Sequence, residues 1–125
     1  MKYEPKLEKE IMCPIEHGIG IFGGKWKSRI ICVLSVNNVM RYNEIKKDLR
    51  NITDAVLAAM LKELIADEMI NRKQYNEIPP RVEYALTEIG RSVLPILQSI
   101  CEWSRKHAKE DLDKKLPSCR SCDQL

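Results

Sequence analysis

Residues 51–70 read NITDAVLAAMLKELIADEMI, a pattern that predicts one capped helix leading directly into a β-strand. Thr53 is a favourable N-cap residue, and the carboxylate of Asp54 lies at the positive end of the helix dipole. Ile52 and Leu57 have the spacing of a hydrophobic staple, in which the residue before the N-cap packs against the first helical turn. These signals predict that the helix begins directly after Thr53.

The two sides of this helix differ in the size of their side chains. Large apolar residues recur at helical spacing on the side expected to be buried: Leu57, Leu61, Leu64 and Ile65. The opposite side carries Ala55, Ala58, Ala59 and Lys62. A solvated helix normally has charged residues there, so a row of methyl groups indicates a face that approaches another surface closely. The alternative is that alanine is present because it is the best helix former.

The overall composition is typical of one soluble globular domain, with 125 residues, 44% of them hydrophobic and 31% charged. No apolar stretch is long enough to span a membrane, and the charged start MKYEPKLEKEI is unlike a secretory signal, so we expect a cytoplasmic protein without a membrane partner. The net charge of +3 does not establish nucleic-acid binding without a local basic patch. Five irregularly spaced cysteines favour free thiols over a disulfide framework.

The N-terminal part is expected to form a charged arm, residues 1–12, followed by a short helix. Pro14 suits the first helical position, and Gly23-Gly24 suits the end, so a helix from Pro14 to Phe22 is predicted with Cys13 at or next to its N-cap. A helix dipole favours the thiolate at this position. Cys13 is therefore either a reactive thiol or an inert buried cysteine.

Two further helices are predicted before the capped one, over residues 25–36 and 41–49. The first has four residues that are expected to face inward: Trp26, Ile30, Val33 and Leu34. Its cations are expected in solvent: Lys25, Lys27 and Arg29. The second has Tyr42, Ile45 and Leu49 on one face, and the cations near its end are Lys46, Lys47 and Arg50. Three helices in this order are typical of a helix-turn-helix, in which one helix lies across the phosphates and the next enters the major groove.

After the capped helix the hydrophobic period changes to two, which predicts strands over residues 70–75 and 81–86. The prolines of the intervening NEIPP cannot continue a strand ladder and instead stiffen a hairpin tip. Arg72, Lys73 and Arg81 flank that tip. A cationic hairpin directly after a recognition helix predicts a two-stranded wing that touches the DNA backbone or minor groove. The alternative is a hairpin with ordinary surface charges.

Thr87 is expected to cap a long last helix that runs to about Glu110 and bends at Pro95. Its apolar stripe is larger than a small core requires and consists of Ile89, Val93, Ile96, Leu97, Ile100 and Trp103. Such a helix most simply packs against its copy in a second chain. Residues 111–125 are expected to be a flexible tail in which Cys119 and Cys122 have CxxC spacing.

Four segments together resemble one known family: residues 13–31, CPIEHGIGIFGGKWKSRII; 41–49, RYNEIKKDL; 69–91, MINRKQYNEIPPRVEYALTEIGR; and 101–103, CEW. They are similar to the HxlR-type family of bacterial winged helix-turn-helix transcription regulators, relatives of the MarR group. The resemblance covers residues 13–107, and the pairing of GGKW with PPRVEYALTEIG is its most specific part. It implies an α+β, mostly helical fold, with residues 1–125 forming a single winged helix-turn-helix domain.

The resemblance also implies a homodimer, joined through its N- and C-terminal helices, that binds a pseudo-palindromic operator in double-stranded DNA. The expected interface residues are Ile15, Ile19, Val93, Leu97, Ile100 and Trp103. Some members of the family sense electrophiles or oxidants through a cysteine at the position that Cys13 occupies. The expected DNA contacts are Lys25, Arg41, Tyr42, Lys46, Thr53, Asp54, Ala55, Ala58, Ala59, Lys62, Arg72, Lys73 and Arg81.

The alanine row departs from the family pattern, which often has polar or basic residues on this face. Alanine can contact a thymine methyl group but cannot donate a hydrogen bond to a base. Sequence readout must then depend on Thr53, Asp54 and Lys62, on the wing, or on DNA shape.

Two other functions are weaker predictions. The chain has no nucleotide-binding loop and no Ser/His/Asp set. Its two histidines, His17 in a glycine-rich helix and His107 near a helix end, are more typical of ordinary residues than of catalytic ones. We therefore expect neither an enzyme nor a cofactor or metal. A redox or zinc-binding module using Cys119 and Cys122 is the better alternative. One CxxC supplies two ligands, whereas a structural zinc site requires four, although a dimer could combine two tails.

Overall fold

The computed structural model describes residues 13–109, a winged helix-turn-helix that is mostly helical. Its elements, in order, are α1 Pro14–Phe22, α2 Lys25–Asn37, β1 Val39–Met40, α3 Tyr42–Leu49, α4 Asp54–Ala66, β2 Ile70–Tyr75, β3 Arg81–Leu86, α5 Glu88–Ser92 and α6 Leu94–His107. The predicted arm, residues 1–12, and the predicted tail with Cys119 and Cys122 lie outside the described residues. None of the helices within residues 13–109 is long and apolar enough to cross a membrane.

Helix α4 begins where the sequence predicts, because Thr53 Oγ1 accepts the backbone N–H of Val56 at 3.2 Å. Its inward residues Leu57, Leu61 and Leu64 are at most 3% exposed. Burial of one such side chain contributes about 1.5–3 kcal/mol. The connector from α3 turns sharply through two consecutive residues in the left-handed region, Arg50 and Asn51, with φ of 57° and 50°.

The sheet has three strands, so the prediction of a two-stranded wing is wrong. Strand β3 lies in the centre, and both of its neighbours are antiparallel to it. The additional strand, β1, pairs Val39 with Ala85 and Met40 with Tyr84. A two-residue strand is too short to show a period in the sequence. Its pairing attaches the base of the wing to the end of α2.

The base of the wing is tied to α5 by Thr87. The Thr87 hydroxyl lies within donor distance of two carbonyl oxygens, that of Glu68 at 2.6 Å and that of Met69 at 3.1 Å. Its Oγ1 also accepts the backbone N–H of Gly90 at 3.0 Å. The backbone N–H of Thr87 also donates to the Met69 carbonyl at 3.1 Å. Gly90 must lack a side chain, because a Cβ there would overlap the Met69 carbonyl oxygen. The start of α5 therefore packs directly on the turn before β2.

The predicted single helix from Thr87 to about Glu110 is two helices, α5 and α6, which meet at Val93. Pro95 does not bend a continuous helix. It lies in the first turn of α6, where backbone N–H groups have no intrahelical acceptor and a missing N–H costs little.

Lys27 is also placed differently from its prediction. It was expected in solvent with Lys25 and Arg29, but it is only 7% exposed and points into the contact between α1, α2 and α4. An inward lysine is not expected from periodicity alone, since a lysine is rarely buried without a partner.

Candidate nucleic-acid interface

The corner between α3 and α4 is joined by the carboxylate of Asp54. Its Oδ1 accepts a hydrogen bond from the Tyr42 hydroxyl and lies in an ion pair with Lys46 Nζ, both at 2.9 Å. The hydrogen bond from Lys46, and then that from Tyr42, lowers the pKa of Asp54 below its usual value. Burial, and then the bond to Asp54, raises the pKa of Tyr42. The charge of Asp54 is thus compensated, and α3 is fixed relative to the first turn of α4.

The outer face of α4 has the predicted row of small side chains, because Ala55, Ala58 and Ala59 are all exposed. Because the side chains in this row are small, another surface can come close to the helix backbone. Lys62 lies one turn further along and is also exposed.

A cleft of about 280 Å³ separates this face from the wing. Lys62 on α4 and Arg72 on β2 contribute cations from opposite sides, and the remaining lining residues are Tyr42, Ala58, Leu61, Ile65 and Tyr84. Arg72 faces the helices because it is paired with Tyr84 of β3 and lies on the same side of β2 as the buried Ile70. The structure therefore brings together four predicted residues, Tyr42, Ala58, Lys62 and Arg72. Sequence reasoning missed a fourth polar lining residue, Tyr84, although its position opposite Arg72 in the hairpin register is a usable signal.

The other face of the wing holds its cations in contacts within the hairpin. The Arg81 guanidinium stacks 3.9 Å from the centre of the Tyr75 ring, and its Nη2 lies 3.2 Å from Glu77 Oε1. Lys73 Nζ lies 4.9 Å from the centre of the same ring. Glu83 is a second carboxylate close to Arg81, at 3.9 Å. These contacts place Arg81 as a group that holds the hairpin together.

Two further candidates lie outside the cleft. Lys25, at the start of α2, is exposed, with its Nζ 4.7 Å from the centre of the Trp26 ring. Arg41 precedes α3 and is exposed, and its backbone N–H donates to Glu44 Oε1 at 2.8 Å. Neither side chain lines the space between Lys62 and Arg72.

The predicted interface residues divide into two groups. Four are exposed in the single chain: Ile15 at 70%, Ile19 at 57%, Ile100 at 51% and Trp103 at 65%. Val93 and Leu97 are instead 5% and 7% exposed and belong to the core of one chain, so their prediction as residues that await a partner needs correction.

Cys13 occupies the N-cap position of α1 and is exposed in the single chain, so it is not buried there as the alternative interpretation expects. Its carbonyl accepts the N–H of His17 at 3.1 Å, while its side chain makes no capping hydrogen bond. Within residues 13–109, no group of three or more His, Cys, Asp or Glu side chains is arranged to hold a metal ion. Cys119 and Cys122 lie outside this range.

Comparison with known proteins identifies the family of the chain. The model of the HxlR-like helix-turn-helix family matches residues 21–112, most of the chain. The chain belongs to the HxlR-like helix-turn-helix family. Its class is accordingly that of DNA-binding transcription regulators, as the sequence resemblance predicts, and no catalytic family is indicated.

Relatives of this HxlR-like chain are similar over most of their length. An uncharacterized HTH-type transcriptional regulator of Methanothermobacter thermautotrophicus is 41% identical over 112 residues, which cover 88% of this chain and 85% of that protein. Among solved structures, the HTH-type transcriptional regulator ytcD is 40% identical with a TM-score of 0.74, covering 79% of this chain and all of that one. The redox regulator HypR in its oxidized form is 36% identical with a TM-score of 0.71, covering 78% and 100%.

Proposed function

We propose that this HxlR-like protein is a sequence-specific regulator that binds double-stranded DNA as a homodimer, each chain using α3, α4 and the wing. The observation that carries the proposal is the cleft in which Lys62 and Arg72 face each other beside the exposed alanine row of α4. The cations suit phosphate oxygens, and the alanines permit the helix to enter a groove closely. Phosphate contacts supply most of the affinity in this arrangement, since methyl groups read few features of a base pair.

The homodimer is supported by the surface that α1 and α6 leave uncovered. Ile19 and Ile100 line a largely apolar cavity of about 440 Å³ between these two helices, together with Phe22 and Leu97. Apolar patches of this kind are typical of protein interfaces. A second copy joined here would present two α4 helices to a pseudo-palindromic operator, whose half-sites are about 34 Å apart.

Salt dependence tests the DNA-binding proposal. Operator fragments are first selected from genomic DNA, and their affinity is then measured from 50 to 200 mM salt. A dimer that makes about 6 to 10 phosphate contacts loses about three to five decades of affinity over this range. An affinity that hardly changes would contradict the proposed dependence on phosphate contacts, and failure to select any fragment would contradict sequence-specific binding.

A thiol response through Cys13 is the second part of the proposal. Its support is the exposure of Cys13 at the start of α1, and the similarity of the chain to a protein described as a redox regulator. Two-electron oxidation of Cys13, by a peroxide to a sulfenic acid or by diamide to a disulfide between the Cys13 thiols of two chains, would move α1 and so change the spacing of two recognition helices without altering a DNA contact.

Diamide treatment tests this response. Operator affinity is measured before and after treatment for the wild type, for Cys13→Ser, and for the double variant Cys119→Ser/Cys122→Ser. We expect the wild type and the double variant to respond and Cys13→Ser not to respond. A response lost only in the double variant would assign the sensing thiols to the CxxC pair, and an unresponsive wild type would leave Cys13 with a structural role.

A further inference from the structure

Lys27 is the one charged side chain that is buried among residues 13–109. Its Nζ lies 2.8 Å from Glu63 Oε1 on α4 and donates to the carbonyl oxygen of Gly20 on α1 at 3.2 Å. Because Lys27 itself belongs to α2, a single ammonium group connects three helices.

Stability alone is a poor explanation for this group. Burying an ammonium ion costs free energy of hydration, and a buried ion pair can often be replaced by apolar side chains without loss of stability. A methionine would fill much the same space as Lys27. What an apolar side chain cannot reproduce is a directional contact that is satisfied at one relative position of the helices.

The contact with Gly20 matters because α1 is held loosely. None of the residues of α1 is buried, although Ile21 and Phe22 pack partly against the core. The carbonyl of Gly20 is one of the last four of the helix, which have no intrahelical donor. Lys27 supplies a donor there and places a positive charge at the negative end of the α1 dipole.

We infer that Lys27 is a positioning residue that couples the placement of α1 to the orientation of α4. If α1 is displaced, the Gly20 carbonyl moves away from the ammonium group of Lys27. The ammonium group then shifts relative to Glu63, and this shift favours a different tilt of α4. By thermodynamic linkage, a ligand that orders α4 must stabilise α1 by the same coupling free energy. The inference rests on the proposed function only in taking DNA as the ligand of α4.

Hydrogen exchange of the backbone amides of α1, residues 17–22, measures the coupling in the full-length protein. The first arm needs no DNA and compares the wild type with Glu63→Gln, Lys27→Met and the double variant. Glu63→Gln lies on α4 but is expected to speed exchange in α1 by about threefold or more, since the amide binds the ammonium less strongly than the carboxylate. In the Lys27→Met background, the same substitution is expected to have no further effect. Equal effects of Glu63→Gln in both backgrounds, or no effect in either, would overturn the coupling.

The second arm adds operator DNA. In the wild type the operator is expected to slow exchange in α1, whereas Lys27→Met is expected to bind the operator about tenfold more weakly and to show no change in α1 on binding. Lys106→Met removes one exposed lysine from α6 and serves as the charge-matched control that should behave like the wild type. An operator effect on α1 that persists in Lys27→Met would overturn the inference. A wild type that binds no DNA would contradict the proposed function, while the first arm would still decide the coupling.

Discussion

Helices α4 and α6 have nearly the same length, 13 and 14 residues, and both place leucine in the core. The side chains on their exposed faces differ in size. The row on α4 is alanine, and the row on α6 is Ile96, Ile100 and Trp103, each at least half exposed. Covering large apolar side chains with a protein surface stabilises the complex by about 25 cal/mol per Å² of apolar surface removed from water. Methyl groups offer little area to cover but allow a helix backbone to come close. The difference indicates that α6 suits a protein partner and that α4 suits a groove.

The largest effect is expected from charges placed on the exposed row of α6. Ile100→Glu combined with Trp103→Glu should leave the single chain folded, because both side chains are already exposed. In a dimer seam, unpaired buried charges cost about 3–5 kcal/mol, so the dimer should be lost at micromolar concentration and operator affinity should fall at least 100-fold. Sedimentation velocity and DNA titration measure the two results.

Leu97→Glu is the matched contrast for that variant. Leu97 lies on the same helix but is 7% exposed in the single chain, so the carboxylate should unfold the protein rather than only separate two chains. If Leu97→Glu stays folded while the exposed pair causes unfolding, the assignment of the two sides of α6 is wrong.

The second effect concerns the small side chains of α4. Ala58→Leu adds bulk to the exposed row, so operator affinity should fall roughly 10- to 100-fold, equivalent to about 1–3 kcal/mol. The free energy of unfolding should change by less than about 0.5 kcal/mol, since the site is exposed. Ala66→Leu makes the same change about 12 Å further along the helix and should affect DNA binding much less. Equal losses for both variants would show that the row has no specific role in groove entry.

A smaller effect should separate the two arginines of the wing. Arg72 lines the cleft, so Arg72→Ala should weaken binding to all sequences similarly and reduce the salt slope of the dimer by about two, one for each chain. Arg81 is held by Tyr75 and Glu77, so Arg81→Ala should leave the salt slope unchanged and speed hydrogen exchange at the hairpin tip. The reverse result would indicate that the Arg81 contacts open when DNA binds.

The smallest effect is the pH dependence of the Asp54 contacts. The pKa of Asp54 is lower in the folded protein than its usual value of 3.8, so its stabilising contribution is complete above that value and is lost as the pH falls through the lower, folded pKa. Acid unfolding curves of the wild type and Asp54→Asn should therefore differ above pH 3.8 and converge below it. A difference that grows as the pH falls would contradict the direction of the shift.

The sequence predicted those parts of the fold that depend on neighbours in the chain. Thr53 at the start of α4 and the two long strands are local signals, and their positions are confirmed. Strand β1 and the break at Val93 were missed because each involves few residues. A two-residue strand forms through the partner that it meets in space, and Pro95 is compatible with a bend as well as with a new start.

Side-chain environments were harder to predict than elements. Lys27 has the charge of a surface residue, and its burial depends on Glu63, which is 36 positions away in the chain and on another helix. Arg72 and Arg81 are indistinguishable by type, but strand parity directs one to the cleft and the other to Tyr75. Periodicity predicts the side of a strand on which a residue lies, whereas the tertiary fold determines which other side chains it contacts there.

The tie between Thr87, Gly90 and the Met69 carbonyl has a geometric consequence for operator spacing. It connects the base of the wing to the start of α5 by hydrogen bonds and close packing, and α6 follows α5 after Val93. In a dimer joined through α6, a change in the crossing angle of the two α6 helices would be passed through this connection to the position of each wing. Substitutions in α6 that contact no nucleotide would then change the half-site spacing that the dimer prefers. The preferred spacing and the preferred base sequence would therefore be set by different residues.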